Sequence, residues 1–310
     1  MNSTRLSRFA WGVLSYNLLV ILWGAWVRVT GSGAGCGSHW PMCNGEVLPR
    51  SPTAQTLVEF SHRLMSGLDL ILVVALFVWV FRARPKGDPA RSAASWTLVF
   101  LLLEALLGAG LVLFELVAND ASAARAYAMS LHLANTFLLL GWMTRTAWVL
   151  GGGTTAATVA RGPKAALLWG RVGIVAVGVT GGIAALGDTL FPGTTLTEAH
   201  AVGAPLLLQL RVLHPVVAVV VGVGLFAAGA YARTRLAAPG VQRMSRLLTV
   251  LVVVQLLAGA INVALLAPGW LQIVHLLLAD LLWIAGTLLA LEISAARAPE
   301  ASASAVAPAH

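Results

Sequence analysis

Charge is what this 310-residue sequence has least of. Asp, Glu, Lys and Arg make up 10% of it, where a soluble globular domain carries about 25%. That scarcity excludes an ordinary cytosolic enzyme. Acidic residues number 12 against 20 basic ones, a net charge of +8. The excess does not read as a nucleic-acid surface, because the basic residues are scattered between long apolar runs and form no single patch. Cysteine is scarcer still, with Cys36 and Cys43 alone. A metal centre would therefore have to draw most of its ligands from other residue types.

Apolar residues are the chain's abundant component, at 58%. A helix needs about 20 of them to span a bilayer. Eight such runs occupy more than half the sequence, near 9–29, 59–82, 94–117, 127–149, 166–187, 208–232, 246–266 and 271–292. They predict an all-α integral membrane protein with eight transmembrane helices. The first run follows Arg5 and Arg8, is too long for a typical signal-peptide core and has no small-residue cleavage site after it, so it is expected to be retained. Fifteen basic residues fall on one side of these spans, and only Arg28, Arg50, Arg63, Arg125 and Arg211 on the other. Basic residues mark the cytoplasmic side. Both termini are thus expected in the cytoplasm of a multi-pass plasma-membrane protein, with the loops near 30–58, 118–126, 188–207 and 267–270 facing outward.

The runs repeat. Val29-Thr30-Gly31 matches Val179-Thr180-Gly181, and Glu104…Gly108-Ala109 matches Gln255…Gly259-Ala260. His62 pairs with His214, and His132 with His275, at offsets of 152 and 143. Self-similarity at a fixed period fixes architecture. It predicts a tandem duplication of two pseudo-symmetric four-helix bundles: an N-terminal half at 1–149, a polar linker at 150–165 and a C-terminal half at 166–296. The Ala/Ser/Pro-rich stretch 297–310 is expected to be a disordered tail.

Four of the seven histidines fall inside these spans, each near the outer end of an even-numbered helix. Ionisable residues within a membrane are costly and usually carry function. Two imidazoles facing each other across a bundle at equal depth suit the axial positions of a haem iron. Zinc would need further ligands, and only Glu59 offers itself. Plain interhelical hydrogen bonds, another metal or a proton path are the competing readings. Arg28, Arg63 and Arg211 lie where haem propionates would meet water and could clamp them, or could merely extend to lipid headgroups. His39 and His200 receive no role.

The halves differ at two places. Glu59 sits three residues before His62, on the same helix face, whereas the equivalent position before His214 is Arg211. A carboxylate there can accept a proton, orient water or stabilise positive charge; it can also simply favour the helix start. The second difference is the Cys36/Cys43 pair in the first outer loop, which has no counterpart in the second half. A structural disulfide on the oxidising side, a redox-active pair and a metal site completed by His39 are all open.

Together, the Gly-rich Cys36…Trp40-Pro41…Cys43 loop, Glu59-Phe-Ser-His62-Arg63, Leu131-His132…Asn135-Thr136, Leu213-His214-Pro215 and Trp270…His275…Asp280 resemble the haem A synthases. The resemblance implies that the C8 methyl of haem O is oxidised to the formyl of haem A by two successive hydroxylations and dehydration. It implies that His62 and His132 bracket the substrate haem with Glu59 beside it as the catalytic carboxylate. His214 and His275 would hold a haem b cofactor for electron transfer, so iron is bound only through haem. The family's loop cysteines correspond to Cys36 and Cys43. One departure is Gly37-Ser38-His39 where Pro-Asp is common in the family; another is the lack of cysteines in the second half. Expected partners are haem O, the bilayer, haem O synthase and cytochrome oxidase assembly factors, with a homo-oligomer allowed and nucleic acid excluded. The competing function is a bis-His cytochrome b that carries electrons without chemistry on the haem.

Overall fold

Polar caps, more than the apolar runs, decide where the helices begin. In the computed structural model, residues 2–154, 160–199, 201 and 203–296 are described. Ten α-helices run in chain order: α1 Asn2–Val29, α2 Ala54–Ala83, α3 Pro89–Leu113, α4 Ala123–Leu150, α5 Arg161–Leu190, α6 Leu196–Ala199, α7 Leu206–Arg211, α8 Leu213–Arg235, α9 Pro239–Ala264 and α10 Gly269–Ala295. The Thr53 hydroxyl accepts the Thr56 N–H at 3.1 Å, Asp88 accepts that of Ala90 at 2.8 Å, and Ser122 accepts that of Arg125 at 3.2 Å. Side-chain caps of this kind satisfy the free N–H groups of a first turn. They lie upstream of the apolar runs, so these three helices start four or five residues earlier than those runs suggest. The third span ends earlier than expected, at Leu113. The break between α7 and α8 has a local cause: Pro215 has no N–H to offer the Arg211 carbonyl.

Among the described residues, seven helices are long and apolar enough to cross a membrane: α1, α2, α3, α5, α7 with α8, α9 and α10. The expected fourth span coincides with the 28-residue α4, which falls short in hydropathy. Its position explains the shortfall. Asn135, Thr136, Thr144 and Thr146 on α4 are buried, and Thr144 and Thr146 donate to the carbonyls of Leu140 and Trp142 at 2.7 and 2.8 Å. A helix surrounded by protein can carry satisfied polar groups; one facing lipid cannot. By contrast, Val216, Val219, Val220 and Val223 form an exposed apolar stripe on α8, the inverted amphipathicity of a lipid-facing surface.

Contacts between chain neighbours set the frame. α1 packs on α2, α3 on α4, α5 on α8 and α9 on α10. Asn17 donates to Asp69 at 2.6 Å between α1 and α2, and the Thr97 and Thr146 hydroxyls meet at 3.1 Å between α3 and α4. α4 and α10 meet at the centre, where Phe137 and Trp283 stack at 5.3 Å and the Trp148 indole donates to Glu292 at 2.9 Å. The largest apolar cluster gathers side chains from α4, α5, α8, α9 and α10. Smaller clusters join α1 to α2, α3 and α4.

One expected repeat match is corrected. Val179-Thr180-Gly181 lies well inside α5, whereas Val29 ends α1 and Gly31 sits beyond it with φ +64°. The two triplets are therefore not at one depth. Residues 155–159 of the expected linker, His200 and the expected tail 297–310 lie outside the described residues.

Candidate functional site

Each of the four membrane histidines rests on a glycine of a neighbouring helix. A Cβ added at Gly24 of α1 would lie 3.1 Å from His62 Cε1. At Gly181 of α5 it would lie 2.9 Å from His214 Cε1, and at Gly259 of α9 3.2 Å from His275 Cε1. Gly108 of α3 faces His132 at 3.9 Å. Contacts this close mean that a methyl at any of the first three positions would press on the ring and require it to shift. The glycine equivalent to Gly181 is thus Gly24, the residue that plays the same part against the matching histidine.

The sequence expectation that the histidines pair across bundle interiors can be tested on geometry. Two metal–nitrogen bonds of about 2 Å, with about 1 Å from each nitrogen to its ring centre, place two coordinated imidazoles about 6 Å apart. The His214 and His275 ring centres stand 6.3 Å apart with their planes at 89°. The buried Nδ1 atoms of His62 and His275 have no hydrogen-bond partner in the protein, which marks nitrogens available to a ligand. Thr180 holds Nδ1 of His214 at 3.3 Å, Gln255 meets Nε2 of His275 at 3.3 Å, and Glu104 lies 3.5 Å from Nδ1 of His132. The residues present therefore fit metal-bound imidazoles, with a polar neighbour beside one nitrogen of His132, His214 and His275.

Glu59 is 3% exposed, and its environment is a clamp between helix and loop. Its Oε2 accepts the Cys36 backbone N–H at 2.8 Å, and its Oε1 accepts from Arg63 Nε at 3.2 Å and Nη2 at 2.5 Å. Arg63 also donates to the carbonyls of His39 and Met42, both at 2.7 Å. The Thr56 hydroxyl ties the Gly35 carbonyl at 2.9 Å, while Gly35 lies so close to the Gln55 backbone that a Cβ there would overlap it. The loop is thus fastened over the first two turns of α2, just N-terminal to His62. Cys36 and Cys43 are fully buried within it and joined as a disulfide with Cα atoms 4.4 Å apart. That bond consumes both thiols, so the metal reading of Cys36, His39 and Cys43 is set aside.

The other two arginines expected at propionates also have protein partners. Arg28 donates to Ala185 O at 2.8 Å, to Thr189 and to Gln272 at 3.0 Å, linking α1 to α5 and α10. Arg211 pairs with Asp188 at 2.9 Å and reaches the Thr194 carbonyl. A guanidinium has five N–H donors, and these contacts use only some of them. In the second half the outer loop is organised by a reciprocal cap: Glu198 accepts the Thr195 N–H at 2.7 Å, and Thr195 accepts that of Glu198 at 3.2 Å. The Thr195 backbone and then its hydroxyl hold the Glu198 carboxyl below the usual carboxylate range. Sequence reasoning gave no role to Glu104, Asp69 or Asp280, which the structure places inside the helix assembly. A carboxylate within an apolar run was the available signal.

Among the described residues, no group of three or more His, Cys, Asp or Glu side chains could hold a metal ion by itself. Comparison with known proteins adds the following. A family model described as COX15-CtaA, cytochrome oxidase assembly protein, matches residues 7–287. Two Thermus thermophilus proteins named protoheme IX farnesyltransferase are 48% identical over 286 residues, covering 91% of this chain and 47% of theirs. A protein named heme A synthase from an Exiguobacterium species is 34% identical over 136 residues, 44% of each chain. Another of that name, from Alkalihalophilus pseudofirmus, is 40% identical over 97 residues, 31% of this chain and 33% of the other. The chain spans about half the length of the curated relatives it matches most fully.

Proposed function

Because the chain belongs to the COX15-CtaA family of cytochrome oxidase assembly proteins, we propose that it is a haem A synthase. In this reading it oxidises the C8 methyl of haem O to a formyl group by successive hydroxylations and dehydration. His62 and His132 hold the substrate haem, and His214 and His275 hold a haem b. The observation that carries the reading is the fourfold histidine-on-glycine arrangement, combined with a carboxylate clamp over one histidine pair alone. A bis-His electron carrier has no need for Glu59 beside one site and Arg211 in the matching place at the other.

The finer architecture belongs to the same proposal: eight spans, with α4 as the central one, in two bundles at 1–149 and 166–296. The match of α3 to α9 supports a duplication. Both end at one offset of 151, at Leu113 and Ala264, and both close with a left-handed non-glycine residue, Glu115 and Leu266. Leu116 N–H bonds Leu111 O at 2.9 Å, and Ala267 N–H bonds Asn262 O at 2.7 Å, the same helix-closing pattern. The basic-residue bias puts the histidine end outward and both termini in the cytoplasm.

Haem b, when bound, supplies one-electron transfer. The chain's own residues bind, orient and shield. The Glu59–Arg63 pair pins the disulfide loop over His62, limiting bulk water above the substrate. The Glu59 carboxylate places negative charge where positive charge develops at a methyl carbon losing electrons, and can take the proton of an attacking water. The remaining N–H groups of Arg28, Arg63 and Arg211 are the donors nearest the outer edge for propionates.

The farnesyltransferase name belongs to proteins about twice as long as this chain. Transfer of a prenyl diphosphate draws on a divalent cation held by carboxylates and phosphates, and the five aspartates here are isolated from one another in sequence. Extraction and chromatography of the haems bound to the purified chain tests the proposal. Haem B together with haem O or haem A supports it. Haem B alone favours the electron carrier and refutes it.

A further inference from the structure

The second nitrogen of a metal-bound histidine is a tuning point, and here the two halves present different groups to it. α3 and α9 superimpose residue for residue in sequence at an offset of 151, from their left-handed ends back to Gly108 and Gly259, the seats of His132 and His275. One turn further back stand Glu104 and Gln255. Glu104 Oε1 lies 3.5 Å from Nδ1 of His132, and the Gln255 amide lies 3.3 Å from Nε2 of His275.

Glu104 is held in place from the helix that carries its histidine. Asn135 donates to Oε2 at 2.6 Å, and the Thr136 hydroxyl donates to Oε1. Gln255 has an unpartnered buried Oε1. A half-turn of the amide, which exchanges its oxygen and nitrogen, gives that oxygen the ring N–H of His275. Gln255 then accepts from its histidine ring, while the Glu104 carboxyl group faces Nδ1 of His132 at 3.5 Å.

We propose that Glu104 and Gln255 are positioning residues that set unequal reduction potentials at the two iron sites. The proposal rests on the haem-ligand reading of the four histidines. A carboxylate facing the second ring nitrogen favours an N–H there, polarises the imidazole and raises its basicity as a ligand. That stabilises the more positively charged oxidised iron and lowers the potential of the N-terminal site; the amide does so less at the C-terminal site. Electrons withdrawn in the N-terminal half are thereby directed toward the C-terminal half.

The test is spectroelectrochemical titration of the full chain purified with its haems, as wild type, Glu104→Gln and Gln255→Glu. The transition lost in His132→Ala identifies the N-terminal haem. Glu104→Gln should raise that potential by at least the amount equal to a tenfold change in the electron equilibrium, about 59 mV for one electron, and leave the other unmoved. Gln255→Glu should lower the C-terminal potential in the same measure, which keeps the test open if Glu104→Gln fails to fold. Variants that bind both haems with unchanged potentials overturn this inference and leave the haem-ligand reading standing. A His132→Ala chain with unchanged haem content and spectrum overturns the ligand reading, and this inference with it.

Discussion

Glu59→Gln separates chemistry from architecture at the N-terminal site. The amide keeps the side chain's size and can still accept the Cys36 N–H, but it removes the counter-ion of Arg63. With side-chain exposures of 12% for Arg63 and 4% for Glu59, the pair is shielded from water. A hydrogen bond to a charged group contributes about 1.5–3 kcal/mol. Arg63 keeps its bonds to the His39 and Met42 carbonyls, so the loop should lose about that much anchoring and stay in place. The loss of a positioned proton-transfer carboxylate is larger, about 10²–10⁴-fold in rate, or roughly 3–5 kcal/mol of barrier. The assay is chromatography of haems extracted from membranes containing the variant. Glu59→Gln should retain haem B and haem O and make little haem A. Thr56→Val is the companion, because it removes the other anchor of the loop, the bond to Gly35 O, and leaves the carboxylate untouched. Near-normal haem A from Glu59→Gln, or an equal deficit from Thr56→Val, would refute the catalytic role and reassign Glu59 to holding the loop.

The remaining expectations concern the histidine seats and the disulfide. His214→Ala or His275→Ala should abolish the haem b spectrum while the chain still inserts into membranes; a normal spectrum in both would remove these residues as ligands. Gly181→Ala sets a methyl 2.9 Å from His214 Cε1 and should displace the ring, shifting or losing the haem b bands. Gly12→Ala meets nothing within 4 Å and should be spectrally silent, so equal effects of the two would dismiss the seat. Mass spectrometry of protein isolated without reductant should find Cys36 linked to Cys43, and two alkylatable thiols there would contradict the closed loop.

What the sequence could and could not reveal follows from the range of the interactions involved. Apolar runs and polar caps are local, so the long helices were legible, with errors at their ends, such as the early stop of α3 at Leu113. Hydropathy measures preference for lipid, and α4 is packed on protein, so its Asn and Thr residues lower its score without making it any less central. The match of Gly31 to Gly181 failed because three small or β-branched residues recur by chance in helices rich in Val, Ala and Gly. Only the contact with a histidine assigns the equivalent position to Gly24. The partners of Glu59 and Arg28 were beyond local reading: Glu59 binds a backbone N–H 23 residues away, and Arg28 binds α5 and α10 at separations of 157 and 244.

Those long-range contacts bear on how the proposed halves would come to do different work. The glycine seats repeat in both, so ring placement is a property of the shared frame. The groups around the rings do not repeat. The N-terminal pair has Glu59 one turn before one histidine and Glu104 against the other, while the C-terminal pair has Arg211, neutralised by Asp188, and Gln255. Glu59 is itself paired with Arg63, so the difference between the pairs rests on Glu104 against Gln255. A carboxylate beside a site favours loss of electrons from what it holds more than an amide does. Under the proposed reading, two sites in one helical frame would take opposite parts in an oxidation, while Arg28 ties the end of α1 to α5 and α10.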